Sequence, residues 1–238
     1  MAINNNTLVI GVLGGMGTFA TINVFQQYAE VFWAEKEWER PRIIIDNRCT
    51  MPSRVRAFLY EEQMNELIEQ MGESLNGLVN LGCNKIILAC NTSHIFLPKV
   101  FEKNPDLKTK IIDIIQCCVE KIKKDGRNEV FLLGSEGTIE AGLYQKYLSD
   151  SHIKCIVPSE EEYKLLRMCI EAVKQNRYDA EIKDIFLNLI NRCDSCILGC
   201  TELPILYKKY KKYVNCPNVY DPVLITLRTL KEKCFINN

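Results

Sequence analysis

Two short patterns each occur twice in this chain, and in the same order. Leu13-Gly-Gly-Met-Gly-Thr18 resembles Leu133-Gly-Ser-Glu-Gly-Thr138, 120 positions later. Ile87-Leu-Ala-Cys-Asn-Thr92 resembles Ile197-Leu-Gly-Cys-Thr201, which sets Cys90 and Cys200 110 positions apart. Each copy has the same form: an apolar run, a glycine-rich or polar turn, then a helix start. A repeat of this period limits the chain to two similar bodies of linked secondary structure. The expected division is a first domain of residues 1–105 plus 211–238 and a second of 106–210. The helix-like stretch Pro222–Cys234 is expected to return to the first domain.

The runs between the repeated turns identify the class of those bodies. Thr7–Leu13, Arg42–Asp46, Lys85–Ala89, Glu129–Leu133, Ile153–Val157 and Ser195–Leu198 are short and largely apolar. Such runs suit strands buried on both faces of a parallel sheet. Between them lie stretches of helical periodicity. Met64, Leu67, Ile68, Met71, Leu75, Leu78 and Val79 predict one helix over Tyr60–Leu81, and Glu160–Gln175 and Glu181–Arg192 read likewise. The alternation predicts an α/β fold of two similar Rossmann-like domains with parallel sheets. Ligands bind such sheets at the carboxyl ends of the strands, so the active site is expected in the interdomain cleft, where both cysteine turns would meet.

Composition removes several function classes. The 238 residues carry 30 Lys+Arg and 30 Asp+Glu, so no global field favours nucleic acid or an anionic membrane. No apolar run reaches the roughly 18 residues of a membrane span, and Met-Ala-Ile-Asn-Asn-Asn lacks the basic and apolar regions of a signal peptide. The twelve cysteines, in a chain without an export signal, are expected as thiols in a reducing cytoplasm. With only two histidines, His94 and His152, most histidine triads and histidine-rich metal sites are excluded.

Cys90 and Cys200 are the candidate catalytic residues. Each follows an apolar run and precedes a helix start, at Asn91-Thr92 and at Thr201-Glu202. A helix N-terminus favours the thiolate through its unpaired N–H groups and dipole. Two like thiols suit one chemistry in particular. Inverting a carbon centre by proton transfer needs a base on one face and an acid on the other, with the roles exchanged in the reverse direction.

Other motifs admit rival readings. Gly15-x-Gly17-x-x-Ala20 after a strand fits a dinucleotide fingerprint, but the acidic residue expected about 20 positions on has no clear match. The same glycines can instead offer amides to a substrate carboxylate, and the second such turn at Gly134–Thr138 favours that use. Arg54 follows the second strand and can bind a carboxylate through two parallel hydrogen bonds. Cys193-x-x-Cys196 with Cys200 lacks the second pair of a structural zinc site. Lys208–Tyr213 mixes basic and aromatic residues and reads as the solvated end of a helix. His94, one helical turn past Cys90, either tunes that thiol or packs beside it.

Taken together, Ile10 to Gly17 with Ala20-Thr21, Ala89-Cys-Asn-Thr-Ser-His94, Gly134 to Thr138 and Leu198-Gly-Cys-Thr-Glu-Leu-Pro204 resemble the aspartate/glutamate racemase family, in the family's order and across nearly the whole chain. The resemblance implies a pyridoxal-independent racemase with no cofactor and no metal. It would be a homodimer acting on a small-molecule amino acid, with L- and D-aspartate as the expected pair and glutamate as the alternative. It implies Cys90 and Cys200 as the catalytic pair. Asn91, Thr92 and Thr201 match residues that bind the α-carboxylate or α-amino group, and Met16 matches the methionine beside the site. Arg54 and Lys174 match a pair that grips the side-chain carboxylate. Gly17, Thr18, Thr138 and Glu202 complete the candidate substrate-binding set. Thr18, Ser135 and Ser53 depart from the family's usual proline, threonine and aspartate, which loosens the assignment of the substrate. Another isomerase or decarboxylase of the wider superfamily using the same cysteine site, a nucleotide-dependent oxidoreductase and a non-catalytic amino-acid-binding protein are the rival functions.

Overall fold

The computed structural model describes residues 8–235. The chain divides into two units, Met1–Ile114 with Val223–Asn238 and Ile115–Pro222. Both seams lie further along the chain than the sequence predicts. Residues 110–112 belong to the first sheet, through a parallel bridge between Ile86 and Ile111 and hydrogen bonds from Ile86 N to Lys110 O and from Ile112 N to Ile86 O. The second unit extends past residue 210 because Asn218–Tyr220 pairs with its sheet.

The first unit contains strands β1 (Val9–Gly14), β2 (Arg42–Asn47) and β3 (Lys85–Leu88), in the order β2-β1-β3. Its helices are α1 (Thr18–Val31), α2 (Arg54–Tyr60), α3 (Met64–Asn80) and α4 (Leu97–Lys103). At the first seam lies α5 (Ile114–Lys124). The second unit holds β4 (Glu129–Gly134), β5 (Lys154–Ile156), β6 (Ser195–Gly199) and β7 (Asn218–Tyr220), in the order β5-β4-β6-β7, with α6 (Glu136–Glu140), α7 (Leu143–Asp150), α8 (Glu160–Lys174), α9 (Ala180–Ile190) and α10 (Leu203–Tyr210). The chain then returns to the first unit through α11 (Pro222–Phe235). Every strand pair is parallel. Within each sheet the first strand lies between the second and the third, so the sequence repeat is also a topological one. The β7 position of the second sheet is taken in the first by the single bridge at Ile111.

The expected strands all form, although Thr7, the first residue of the first run, lies outside the described residues. The inner strands are buried along almost their whole length, as continuous apolar runs require. β2 is the exception: Ile43, Ile44 and Ile45 are only half-buried, because β2 is an edge strand. The helix expected over Tyr60–Leu81 forms as α3, Met64–Asn80, and starts four residues late. Glu61 and Gln63 take left-handed conformations with φ of 56° and 50°, and Arg56 holds Glu62 in the bend through two hydrogen bonds. α3 then seats Leu67, Met71, Leu75 and Leu78 in the first unit's core. Each such side chain contributes about 1.5–3 kcal/mol on burial, which fixes the face α3 presents. No helix among the described residues is long and apolar enough to cross a membrane.

Candidate active site

The candidate residues of the first unit gather at the carboxyl ends of its strands. Gly14 is level with Asn47 across β1 and β2, and Leu13 is level with Leu88 on β3, so the turns after all three strands leave one edge of the sheet. Gly15 turns the chain with φ of 80°, and a Cβ there would lie 2.4 Å from the carbonyl carbon of Arg48 and 2.5 Å from Cys49 N. Glycine is therefore required by the chain's own backbone at 48–49. The fingerprint reading, in which the glycine admits a pyrophosphate, loses its physical motive. Thr21 locks the turn: its hydroxyl accepts from Gly15 N at 3.0 Å and donates to Gly17 O at 3.0 Å. The Gly15 amide, expected among the substrate's donors, is thus spent internally. Gly17 is the N-cap of α1, and no side chain caps that helix; the turn that opens it also carries Met16 and Thr18. Thr18 is exposed, and its hydroxyl accepts from Asn47 Nδ2 at 3.4 Å.

Arg54 begins α2 and ties two of these turns together. Its guanidinium donates to Pro52 O at 3.0 Å and to Met16 O at 3.1 Å. Met16 is in turn held by the Ser93 hydroxyl, 2.7 Å from its sulfur. Ser93 belongs to the 3₁₀ turn Thr92–Phe96 that follows Cys90. Asn91 and Thr92 are buried, while Cys90 is only partly so. His94 does not reach the thiol. Its Nδ1 sits 3.1 Å from the carbonyl oxygen of Cys90 and 3.2 Å from that of Asn91, and it therefore fixes the backbone that presents Cys90.

The second unit repeats the plan with different polar groups. Gly134 and Gly199 are paired, so Ser135 and Cys200 each stand one residue beyond the sheet. Ser135 caps α6 through Thr138 N, and the Thr138 hydroxyl lies 3.0 Å from that of Ser135. The Cys200 thiol donates to Glu202 Oε2 at 2.9 Å. Glu202 is 2% exposed and Thr201 is buried beside it, so a carboxylate is held out of water against the sulfur. Lys174, at the end of α8, faces the same group. Burial pulls its ammonium down, but the hydrogen bond to Glu171 and the charges of Glu202, Glu171 and the Cys200 thiolate more than offset this, leaving it above the ordinary lysine range.

Tyr163 is a further candidate, near the Cys200 turn, that sequence reasoning missed. Its hydroxyl accepts from Glu136 N at 2.9 Å. Burial, with the charges of Glu136 and Cys200, pushes it up to about 12 despite the opposing influence of the Glu136 amide and Arg167. No motif marks it; only the packing of α8 brings it to the turn after β4. Cys193, a member of the zinc reading, donates to Ile190 O at 3.6 Å and lies beside Cys196 and Cys216 at the amino ends of β6 and β7. Among the described residues no group of three or more His, Cys, Asp or Glu is arranged to hold a metal ion.

Fold and site together define a class: a doubled parallel α/β protein with one thiol past the third strand of each sheet. The family model of the Asp/Glu/Hydantoin racemases matches residues 13–230, and the chain belongs to that family. Among solved structures it is similar to the Picrophilus torridus aspartate racemase (25% identity, TM-score 0.78, covering 95% of this chain and 94% of that one). It is also similar to an aspartate racemase homologue from Pyrococcus horikoshii OT3 (26% identity, TM-score 0.72, covering 94% and 98%). The broad specificity amino-acid racemase RacX of Bacillus subtilis is 23% identical over 206 residues, 82% of this chain and 86% of that protein. The chain spans between 52% and 66% of the length of the glutamate racemases it matches in sequence.

Proposed function

We propose that this protein is a cofactor-independent amino-acid racemase that interconverts L- and D-aspartate through Cys90 and Cys200, acting as a cytoplasmic homodimer. The observation that carries the reading is the equivalence of the two thiols: each stands past the third strand of a sheet with the same strand order. Chemistry that must run in both directions asks for such like partners. In one direction a thiolate takes the α-proton, and the C–H electron pair stays on the substrate, delocalised into its α-carboxylate. The opposite thiol then delivers its proton to the other face of Cα and becomes the thiolate. Glu202, which accepts the hydrogen bond of the Cys200 thiol, orients that sulfur. The amides opening α1, with Thr92 and Thr201, stabilise the charge on the α-carboxylate, and Arg54 and Lys174 hold the side-chain carboxylate. The similarity to the Picrophilus torridus aspartate racemase (25% identity) and to an aspartate racemase homologue (26% identity), each over nearly the whole of both chains, supports aspartate as the substrate.

Single thiol deletions test the reading. Cys90→Ala and Cys200→Ala are each expected to lose racemisation by at least the roughly 10²–10⁴-fold of a missing acid or base. Each should retain slow Cα exchange in heavy water with one enantiomer only, and the two mutants should prefer opposite enantiomers. NMR of Cα deuterium in L- and D-aspartate and glutamate, with neither pyridoxal phosphate nor metal added, measures this. Near-parental racemisation by either mutant, or the same preference in both, overturns the opposed-thiol assignment.

A further inference from the structure

Cys193, Cys196 and Cys216 gather at the amino ends of β6 and β7, and the proposed chemistry uses none of them. Ser195 is level with Asn218 in the parallel pairing of β6 with β7. Two residues back along both segments, Cys193 is level with Cys216. The segments stay tied there: Asn218 Nδ2 donates to Asp194 O at 2.8 Å, Asn215 N to Asn191 Oδ1 at 2.7 Å, and Asn191 Nδ2 to Tyr213 O at 3.1 Å. The Cys193 thiol accordingly lies beside that of Cys216, with Cys196 next to it. Neighbouring strands run about 4.8 Å apart, inside the range of roughly 4.4–6.8 Å between Cα atoms that a disulfide spans. Access to the thiols is unequal. Cys193 is half-buried and lines a cavity of about 370 Å³ with Arg192, Asp194 and Ser195, whereas Cys196 and Cys216 are buried.

We propose that Cys193 and Cys216 are an oxidation site, at which hydrogen peroxide joins them in a disulfide that latches the amino end of β7 to that of β6. The peroxide meets Cys193 first, because that thiol lines the cavity. The Cys193 sulfur attacks one peroxide oxygen, the O–O bond breaks, and the products are a sulfenic acid and one water. The Cys216 sulfur then displaces the hydroxyl from Cys193, and a second water leaves with the Cys216 proton. Two thiols have lost two electrons, and one peroxide has become two waters. Cys196 is the rival partner for Cys193. It is fully buried inside β6, and a bond between them would have to fold back the start of a strand that runs extended. The neighbouring Cys196 thiol, with burial, pushes Cys193 up to about 12 against the pull of Cys216. The pair is therefore held as thiols at neutral pH, and its oxidation quickens as pH rises, since the thiolate is the nucleophile. The latch encloses β6, the Cys200 turn and α10. The five-residue β6 nevertheless sets it roughly 17 Å from Cys200, so it stands apart from the racemase chemistry.

Peptide mapping of the full chain tests the site. The reduced protein is freed of reductant, treated with hydrogen peroxide, alkylated and digested with trypsin together with a protease that cuts before aspartate. The second cut, at Asp194, parts Cys193 from Cys196. Mass spectrometry is expected to find the Cys193 and Cys216 peptides joined, two hydrogens lighter than their sum, and separated again by dithiothreitol. The linkage should form faster at about pH 9 than at about pH 7. Cys196→Ser should keep it, and Cys193→Ser and Cys216→Ser should lose it. Because the linkage is read in the parent chain, a variant that fails to fold leaves the test standing. The urea midpoint of the linked protein should rise by on the order of 1 M over the reduced one, since closing a loop of this length constrains the unfolded chain. Linkage of Cys193 to Cys196, sulfinic acid at Cys193 without a linkage, or survival of both thiols under peroxide overturns the site. Racemisation is measured separately: its absence in the parent would refute the racemase and leave the latch untouched.

Discussion

Arg54 has two duties that can be separated. It holds the carbonyls of Pro52 and Met16 through one hydrogen bond from each terminal nitrogen, and its remaining donors suit a carboxylate. A bidentate charge-assisted contact contributes about 1.5–3 kcal/mol. Arg54→Ala is therefore expected to lower kcat/KM for aspartate at least tenfold more than for alanine, in parallel assays of both substrates; equal losses would leave the residue a brace. His94 has a different consequence. Burial pulls it below the ordinary histidine range, against the opposing influence of Asp113 and nearby carbonyls. The unfolded chain thus takes up a proton at His94 more readily than the folded one. Its stabilising contribution is present above about pH 6.5, where the unfolded histidine titrates, and is lost as pH falls below it. The urea midpoint should drop between about pH 7.5 and 5.5, and by less in His94→Gln than in the parent. Of these residues, Cys90, Cys200 and Arg54 can be singled out as candidates in the sequence because they sit in repeated or strand-end motifs. Tyr163 was not, since only a tertiary contact brings its hydroxyl to Glu136.

Among the elements, α8 does most to assemble the second unit's polar groups, since it carries Tyr163 near one end and Lys174 at the other. Its start is held by a capping box: Ser159 accepts from Glu162 N, and Glu162 accepts from Ser159 N. Arg192 adds an ion pair to Glu162. Ser159→Ala should cost about 1 kcal/mol, seen as a lower urea midpoint, with the turnover of the folded fraction unchanged. An unchanged midpoint would mean that Arg192 and tertiary packing fix the helix start unaided. The main helices and strands were readable from periodicity and apolar runs. The break at Glu61–Gln63 was not, because two non-glycine residues take left-handed conformations there and no glycine or proline announces it. β7 was missed because Asn218–Tyr220 is too short to show a period. The half-exposure of β2 depends on its place at the sheet's edge, which an apolar run cannot reveal.

At the scale of the molecule, the repeat foretold two α/β units, and the first of them takes the chain back through α11. That return has a consequence for synthesis. The second unit is one unbroken stretch placed inside a first unit made of two. On a ribosome the first unit is begun earliest, yet it stays without its closing helix α11 while all of the second unit is translated, a delay on the order of ten seconds at typical elongation rates. Leu227 and Leu230 are buried in the finished protein, so the surface they cover stays wet during that interval. Stalled nascent chains should therefore show protease resistance first in Ile115–Pro222, and only afterwards in the residues made before it. The reverse order would mean that the three-stranded sheet closes its core without α11. Between those two moments the growing polypeptide carries a finished second unit and an open first one, and chaperones that recognise exposed apolar surface would find it in residues that left the exit tunnel before the second unit did.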